Sequence, residues 1–268
     1  MLKRWFLGGW RQQIGRIEVT GVIDGRTRER VLKALQEVEE RQIPAVVLRI
    51  DSPGGTVADS QEIYNALSRL RERKGTRIVA SFGNIAASGG VYIAMGAEKI
   101  VSNPGTITGS IGVIIRGNNL ERLLDKIGIS FKVIKSGPYK DILSFDRELT
   151  PEERNILQEL IDITYGQFVQ TVAAARRLSV NVVKTFADGR IFSGEQALHL
   201  GVVDRLGTEE DARLWAAELS GLPPDAKFCD LLPRRRGWAR LLPAAEALAR
   251  LQFEVSTSGL PLWLYTGS

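Results

Sequence analysis

Apolar positions in the first half of the chain follow two alternating periods. Residues 16–22 read as a strand, and 27–41 follow with Val31, Leu32, Leu35 and Val38 at helical spacing. Residues 45–50 are a nearly continuous apolar run, as expected of a strand covered on both faces. The run closes on Asp51-Ser52-Pro53-Gly54-Gly55, and Ile63, Ala66, Leu67 and Leu70 then mark a second amphipathic helix. Residues 77–82 predict the next strand. The small, apolar stretch 86–96 predicts a tightly packed buried helix, and Lys99–Ser102 a short strand. Leu120, Leu123, Leu124 and Ile127 predict a helix, and 130–134 a strand. A long helix starts at Pro151, with Thr150 as its N-cap and Glu152 and Glu153 at its positive end. Its apolar face runs through Ile156, Leu157, Leu160, Phe168, Val169 and Val172. A last helix-and-strand unit over 195–203 ends the compact region near Leu206.

Repeated strand-then-helix order argues an α/β domain with a largely parallel sheet. The chain divides into an N-terminal arm (1–14), one domain (15–210) and a C-terminal extension (211–268). The arm reads Met-Leu-Lys-Arg-Trp-Phe-Leu-Gly-Gly-Trp, and its apolar stretch is too short for a signal-peptide core or a membrane span. Trp5, Phe6 and Trp10 beside Lys3 and Arg4 suit peripheral contact with a lipid interface, or a partly ordered arm.

Composition changes this picture at one point. The 268 residues include a single His and a single Cys, His199 and Cys229. A thiolate zinc site, a disulfide framework or a two-histidine metal motif cannot be built from them, so neither metal nor cofactor is expected. Any His-based triad has to use His199, which lies near a late turn and reads as a structural or surface residue. The net charge of +5 is partly local, in Arg234–Arg236 with Arg240 and Arg250. Without a nucleic-acid motif elsewhere, that run reads as a solvated tail, and no nucleic acid is expected as partner.

Two motifs carry candidate chemistry. The glycines of Asp51-Ser52-Pro53-Gly54-Gly55 let backbone approach a ligand and offer N–H groups to a developing anion; a plain strand-to-helix turn has the same composition. In Asn84-Ile85-Ala86-Ala87-Ser88-Gly89-Gly90, a hydroxyl stands among residues with almost no steric cover, with the Gly89 N–H beside it; a small-residue packing seam reads the same way. A serine nucleophile needs a base. Lys140, in Ser136-Gly137-Pro138-Tyr139-Lys140-Asp141, is the candidate. A lysine among uncharged groups is disfavoured as ammonium and so becomes usable as a base. Lys135 lies five positions away, and Asp141 opposes that effect if it points inward.

These blocks, with Thr108-Gly-Ser-Ile-Gly-Val113, Glu148-Leu-Thr-Pro151, Gly189-Arg-Ile-Phe-Ser-Gly194 and Gly201-Val-Val-Asp204, resemble in order the signal peptide peptidase A (SppA) family of serine proteases in its short, single-repeat form. The resemblance implies a ClpP/crotonase-like fold and a Ser/Lys dyad. It assigns Ser88 as nucleophile, Lys140 as general base, Ser110 as the hydroxyl that orients the lysine, and Gly89 with Gly54 or Gly55 as oxyanion-hole donors. It further implies an endopeptidase acting on released signal peptides or other extended peptides, assembled as a homo-oligomer, often an octamer. A groove lined by small residues suggests small or medium apolar side chains in the substrate. The expected location is a membrane surface, without a transmembrane span in this chain, and otherwise the cytoplasm. Other readings on the same fold are an acyl-CoA-binding enzyme and a non-catalytic assembly. The apolar tail Leu260-Pro-Leu-Trp-Leu-Tyr265 reads as a segment lying on a neighbour's groove, on a membrane or on its own subunit.

Overall fold

A computed structural model describes residues 12–231 and 259–266. Strand β1 (Ile14–Thr20) leads to helix α1 (Gly25–Arg41), then β2 (Ala45–Ser52), β3 (Gly54–Thr56) and α2 (Val57–Lys74). β4 (Arg77–Ala87), α3 (Gly89–Ala94), β5 (Lys99–Ser102) and β6 (Ile107–Gly109) follow. Next come α4 (Glu121–Ile127), α5 (Pro151–Arg176), α6 (Val180–Lys184), β7 (Ile191–Ser193) and α7 (Gly194–His199). β8 (Arg205–Leu206), α8 (Glu209–Ser220), β9 (Phe228–Asp230) and β10 (Leu262–Leu264) complete the described chain. The architecture is α/β, built on a largely parallel sheet. The described residues 12–112, 167–231 and 262–266 form one compact unit, and those of 113–166 and 259–261 lie in a second.

In the first unit the sheet order is β7-β6-β4-β2-β1-β9, with β5 between β4 and β8. Its pairs are parallel except β6 with β7. β2 is central, and its apolar run buries both faces. Ala45 and Val47 join Ile14, Val79 and Val101 in a cluster with Ala212, Trp215 and Ala216 of α8. On the opposite face, α3 packs over β2 with Gly90 against Ile50. α1 is capped by Asp24, whose carboxylate accepts from the Thr27 N–H at 2.8 Å, and it ends at Gln42 in the left-handed region.

Three expectations meet a different outcome. The helix predicted over 86–96 is shorter, because Ala86 and Ala87 still belong to β4 and pair with Thr108 and Gly109 of β6. Residues 130–134 form no strand. Phe131, Val133 and Ile134 are exposed, and a strand without a partner ladder leaves its backbone groups to water. The compact core also continues past residue 206. α8, begun by the reciprocal Thr208–Asp211 capping box, lies in the core, and β9 adds an edge strand beside β1. The N-terminal arm to residue 11 and the arginine run from 234 lie outside the described residues. Among the described residues no helix is long and apolar enough to cross a membrane.

Candidate active site

The site grows from the C-terminal ends of β2, β4 and β6. β4 and β6 are tied by side chains as well as by their ladder: Thr106 Oγ1 donates to the Gly83 carbonyl and Thr108 Oγ1 to that of Ala86, both at 2.7 Å. One residue past each strand end stand Ser88 and Ser110. The Ser88 N–H donates to the Gly109 carbonyl at 2.8 Å, and the Ser110 N–H to that of Arg190 at 2.8 Å. Both serines have φ +52°. Ser88 has ψ −116°, outside the regions an L-residue prefers, so the turn from β4 into α3 holds it under strain. Its Oγ is buried and has no hydrogen-bond partner among the described residues.

The glycine motif closes on this serine. Gly54 has φ +102°, and a Cβ there would lie 2.7 Å from the Gly89 nitrogen, so only glycine permits the approach. A Cβ on Gly89 would lie 2.7 Å from Ser60 Oγ, and one on Gly55 1.9 Å from the Ile23 carbonyl oxygen. The strip is anchored from β1's side: the Ile23 N–H donates to the Gly54 carbonyl at 2.8 Å, and the Thr56 N–H to the Ile23 carbonyl at 2.9 Å. The two candidate donors differ. The Gly54 N–H donates to Ser52 Oγ at 3.1 Å, whereas the Gly55 N–H lies on the edge of β3 that pairs with β10.

Sequence reasoning quoted Asp51 without giving it a role. Its carboxylate accepts from the Ile85 N–H at 3.1 Å and from Asn84 Nδ2 at 3.2 Å. The β2–β4 register shifts between Ile50 and Ser52, around this residue. Asp51 thus shapes the strand that delivers Ser88. Its place beside the glycine pair was the available signal. Tyr92 was not marked by any motif, whereas Trp263 belongs to the apolar tail singled out from the sequence, which lies on its own chain opposite Gly55.

Ser88, Ser110, Gly89, Gly54 and Gly55 all lie in the first unit. Lys140 lies in the second, in an exposed turn where its N–H donates to the Gly137 carbonyl at 3.3 Å. Asp141 beside it is committed elsewhere. Its carboxylate accepts from Arg147 Nη2 at 2.8 Å and from Lys135 Nζ at 2.6 Å. Those two cations, Arg147 first, hold its pKa well below the usual carboxylate range. Arg147 also reaches Glu153 Oε2 at 2.8 Å, and Glu153 closes a capping box with Thr150 at the start of α5. The loop that carries Lys140 is therefore tied to the head of the long helix. His199 is exposed at the end of α7.

Residues 71–223 match peptidase family S49, and residues 12–105 match the Clp protease family. A protein of Synechocystis sp. named as a protease is 63% identical over 95% of this chain and 96% of its own length. A signal peptide peptidase SppA of Enterococcus faecium is 40% identical over 74% of this chain, which spans 55% of that longer protein. The serine protease SPPA of Arabidopsis thaliana chloroplasts is 32% identical over 84% of this chain and 35% of its own length. Among solved structures, a ClpP1 variant from Listeria monocytogenes superposes with TM-score 0.52 at 18% identity, covering 79% of this chain and 99% of its own. A membrane-bound stomatin-specific protease does so with TM-score 0.52 at 17% identity, covering 82% and 92%.

Proposed function

The chain belongs to peptidase family S49, and from that membership we propose that it is a serine endopeptidase with a Ser88/Lys140 dyad, cleaving signal peptides after their release and other extended peptides. The observation that carries the reading is the Ser88 hydroxyl: buried, without a partner, strained in its backbone, and flanked by glycines that leave room for a peptide. Ser68 Oγ is also buried without a partner, but only at Ser88 does the bare hydroxyl coincide with a strained backbone and flanking glycines.

In the proposed mechanism the Lys140 amine takes the Ser88 proton as Oγ attacks the scissile carbonyl. Ser110 orients that amine. The developing oxyanion takes the N–H groups of Gly89 and Gly55, while Gly54, its own N–H engaged by Ser52, supplies the close backbone approach. Lys140 then protonates the leaving amine, and water releases the acyl group by the same proton path in reverse. Self-association and peripheral membrane contact complete the proposal. Exposed Phe131, Val133 and Ile134 offer apolar surface for the first.

The test is peptide hydrolysis by Ser88→Ala and Lys140→Ala. Each loses activity with an unchanged circular dichroism spectrum. Normal turnover by either variant refutes the dyad.

A further inference from the structure

The motif that carries the proposed base holds two lysines, and their surroundings treat them differently. The Lys135 amine is engaged: it donates to the Asp141 carboxylate at 2.6 Å and to the Pro138 carbonyl at 3.0 Å, closing the loop 135–141 on itself. The Lys140 amine has no hydrogen bond or ion pair among the described residues. Yet the residue next to it, Asp141, carries a carboxylate.

That carboxylate is held by other cations. Arg147 lays its fork along it: Nη2 donates to Oδ1 at 2.8 Å and Nε to Oδ2 at 3.3 Å, and Nη2 also reaches the Asp141 backbone carbonyl at 3.0 Å. The same guanidinium grips Glu153, with Nη1 donating to Oε2 at 2.8 Å and Nη2 to Oε1 at 2.5 Å. Glu153 is buried and fixed by the Thr150 N–H at 3.0 Å in the first turn of α5. Arg147 therefore ties Asp141 to a point that does not belong to the loop. Only a planar, forked cation can hold two carboxylates in this way. Arg147 first, and Lys135 second, keep the Asp141 carboxyl well below the usual carboxylate range. Asp141 thus stays an anion at neutral pH, and only a restraint keeps it from the next lysine along. An ammonium bonded to a carboxylate has no lone pair with which to accept a proton.

We propose that Arg147 is a positioning residue for the base: its fork, with the Lys135 amine, holds the Asp141 carboxylate away from Lys140, and so keeps the Lys140 amine unpaired for work on Ser88. This rests on the reading of Lys140 as general base. The two lysines of the motif then have separate roles, Lys135 as part of the restraint and Lys140 as the group it protects.

The experiment uses the full chain, steady-state hydrolysis of an extended peptide at pH 7, and a variant cycle of Arg147 and Asp141. Arg147→Met keeps the stem and loses the fork. Its kcat falls by roughly tenfold or more while KM stays within about twofold, because the base acts in the chemical step. Asp141→Asn keeps the shape and removes the charge, and kcat falls by less than about threefold. Arg147→Met/Asp141→Asn turns over about fivefold faster than Arg147→Met, since no carboxylate is left to engage Lys140. A clamp that only shapes the loop gives the reverse: Asp141→Asn is itself slow, and the double variant is no faster than Arg147→Met. Either result overturns the proposal, as does a loss that appears in KM and not in kcat. Where circular dichroism shows that Arg147→Met does not fold, Arg147→Lys takes its place. It keeps the charge without the fork, and its smaller kcat loss is again relieved by Asp141→Asn. Normal turnover by Lys140→Ala refutes the general base itself. That result is distinct from a required Lys140 with an Arg147→Met loss that Asp141→Asn does not relieve.

Discussion

Within each of the two units of this chain, different physics holds the residues in place. Around Ser88 the sheet is built from apolar strands, and Leu48, Ile50, Val79 and Phe82 are wholly buried. The unit that carries Lys140 has an α4 with no buried residue, and Phe131, Val133 and Ile134 are exposed. In that unit Lys135, Asp141, Arg147 and Glu153 form one connected set of ion pairs, and Phe131 meets Phe145 edge-on at 5.4 Å. The proposed nucleophile thus sits in an apolar frame, and the proposed base in a loop tied down by a few charge-assisted hydrogen bonds. Apolar burial carries no proton and does not titrate; paired surface charges respond to pH and are screened by salt.

The sharpest way to break this comparison is chemical. Ser88→Ala and Lys140→Ala each cut peptide hydrolysis by about a thousandfold or more, and the double variant falls no further than either alone, since residues acting as one unit are not additive. Independent, multiplying losses measured in steady-state assays would separate the two groups. Next in size is the frame. Leu48→Ala removes a fully buried side chain and costs about 3 kcal/mol of unfolding free energy in denaturant titration, with little change between pH 4 and 7.

Arg147→Ala acts on the other unit and depends on pH. The Glu153 pKa is lowered to about 2, by Arg147 first and the Thr150 N–H second. A carboxylate lowered by folding adds stability above its ordinary value and loses it as the pH falls towards the folded one. Arg147→Ala therefore lowers the melting temperature at pH 7, and the gap from wild type closes as the pH drops through 4 towards about 2. A gap that stays constant across this range contradicts a charge-held unit. The smallest effect is expected at Ile134, fully exposed at 102% relative accessibility. Ile134→Ser changes unfolding free energy by about 0.5 kcal/mol or less, while sedimentation velocity reports whether this face supports self-association.

Much of the frame was legible from local pattern. The run Ala45–Ser52 reads as a covered strand because each of its side chains has to leave water on one face or the other. Helix α5 was legible from Thr150, Pro151 and Glu153, which satisfy the first N–H groups without help from elsewhere. Of the site, Ser88, Gly89, Gly54, Gly55, Ser110 and Lys140 were legible as motif residues. Their roles came from resemblance, since a serine among small residues is locally no different from a packing seam. Residues 130–134 mislead for the same reason. Alternation states what a strand needs, but not whether a partner edge is there to meet it.

By itself, then, the amino-acid sequence determined the β–α alternation, the helix caps, the scarcity of histidine that leaves a lysine as the candidate base, and the glycine-rich turns that bare a hydroxyl. These are properties of neighbouring residues. Only the tertiary structure decided that α8 and β9 belong to the core, that Gly54 spends its N–H on Ser52, and that Trp263 returns to pair with Gly55 and stack on Tyr92. Those outcomes depend on which of several free edges and apolar pockets two distant segments share. That choice is made by burial and backbone hydrogen bonding summed over the whole chain, which no local pattern contains.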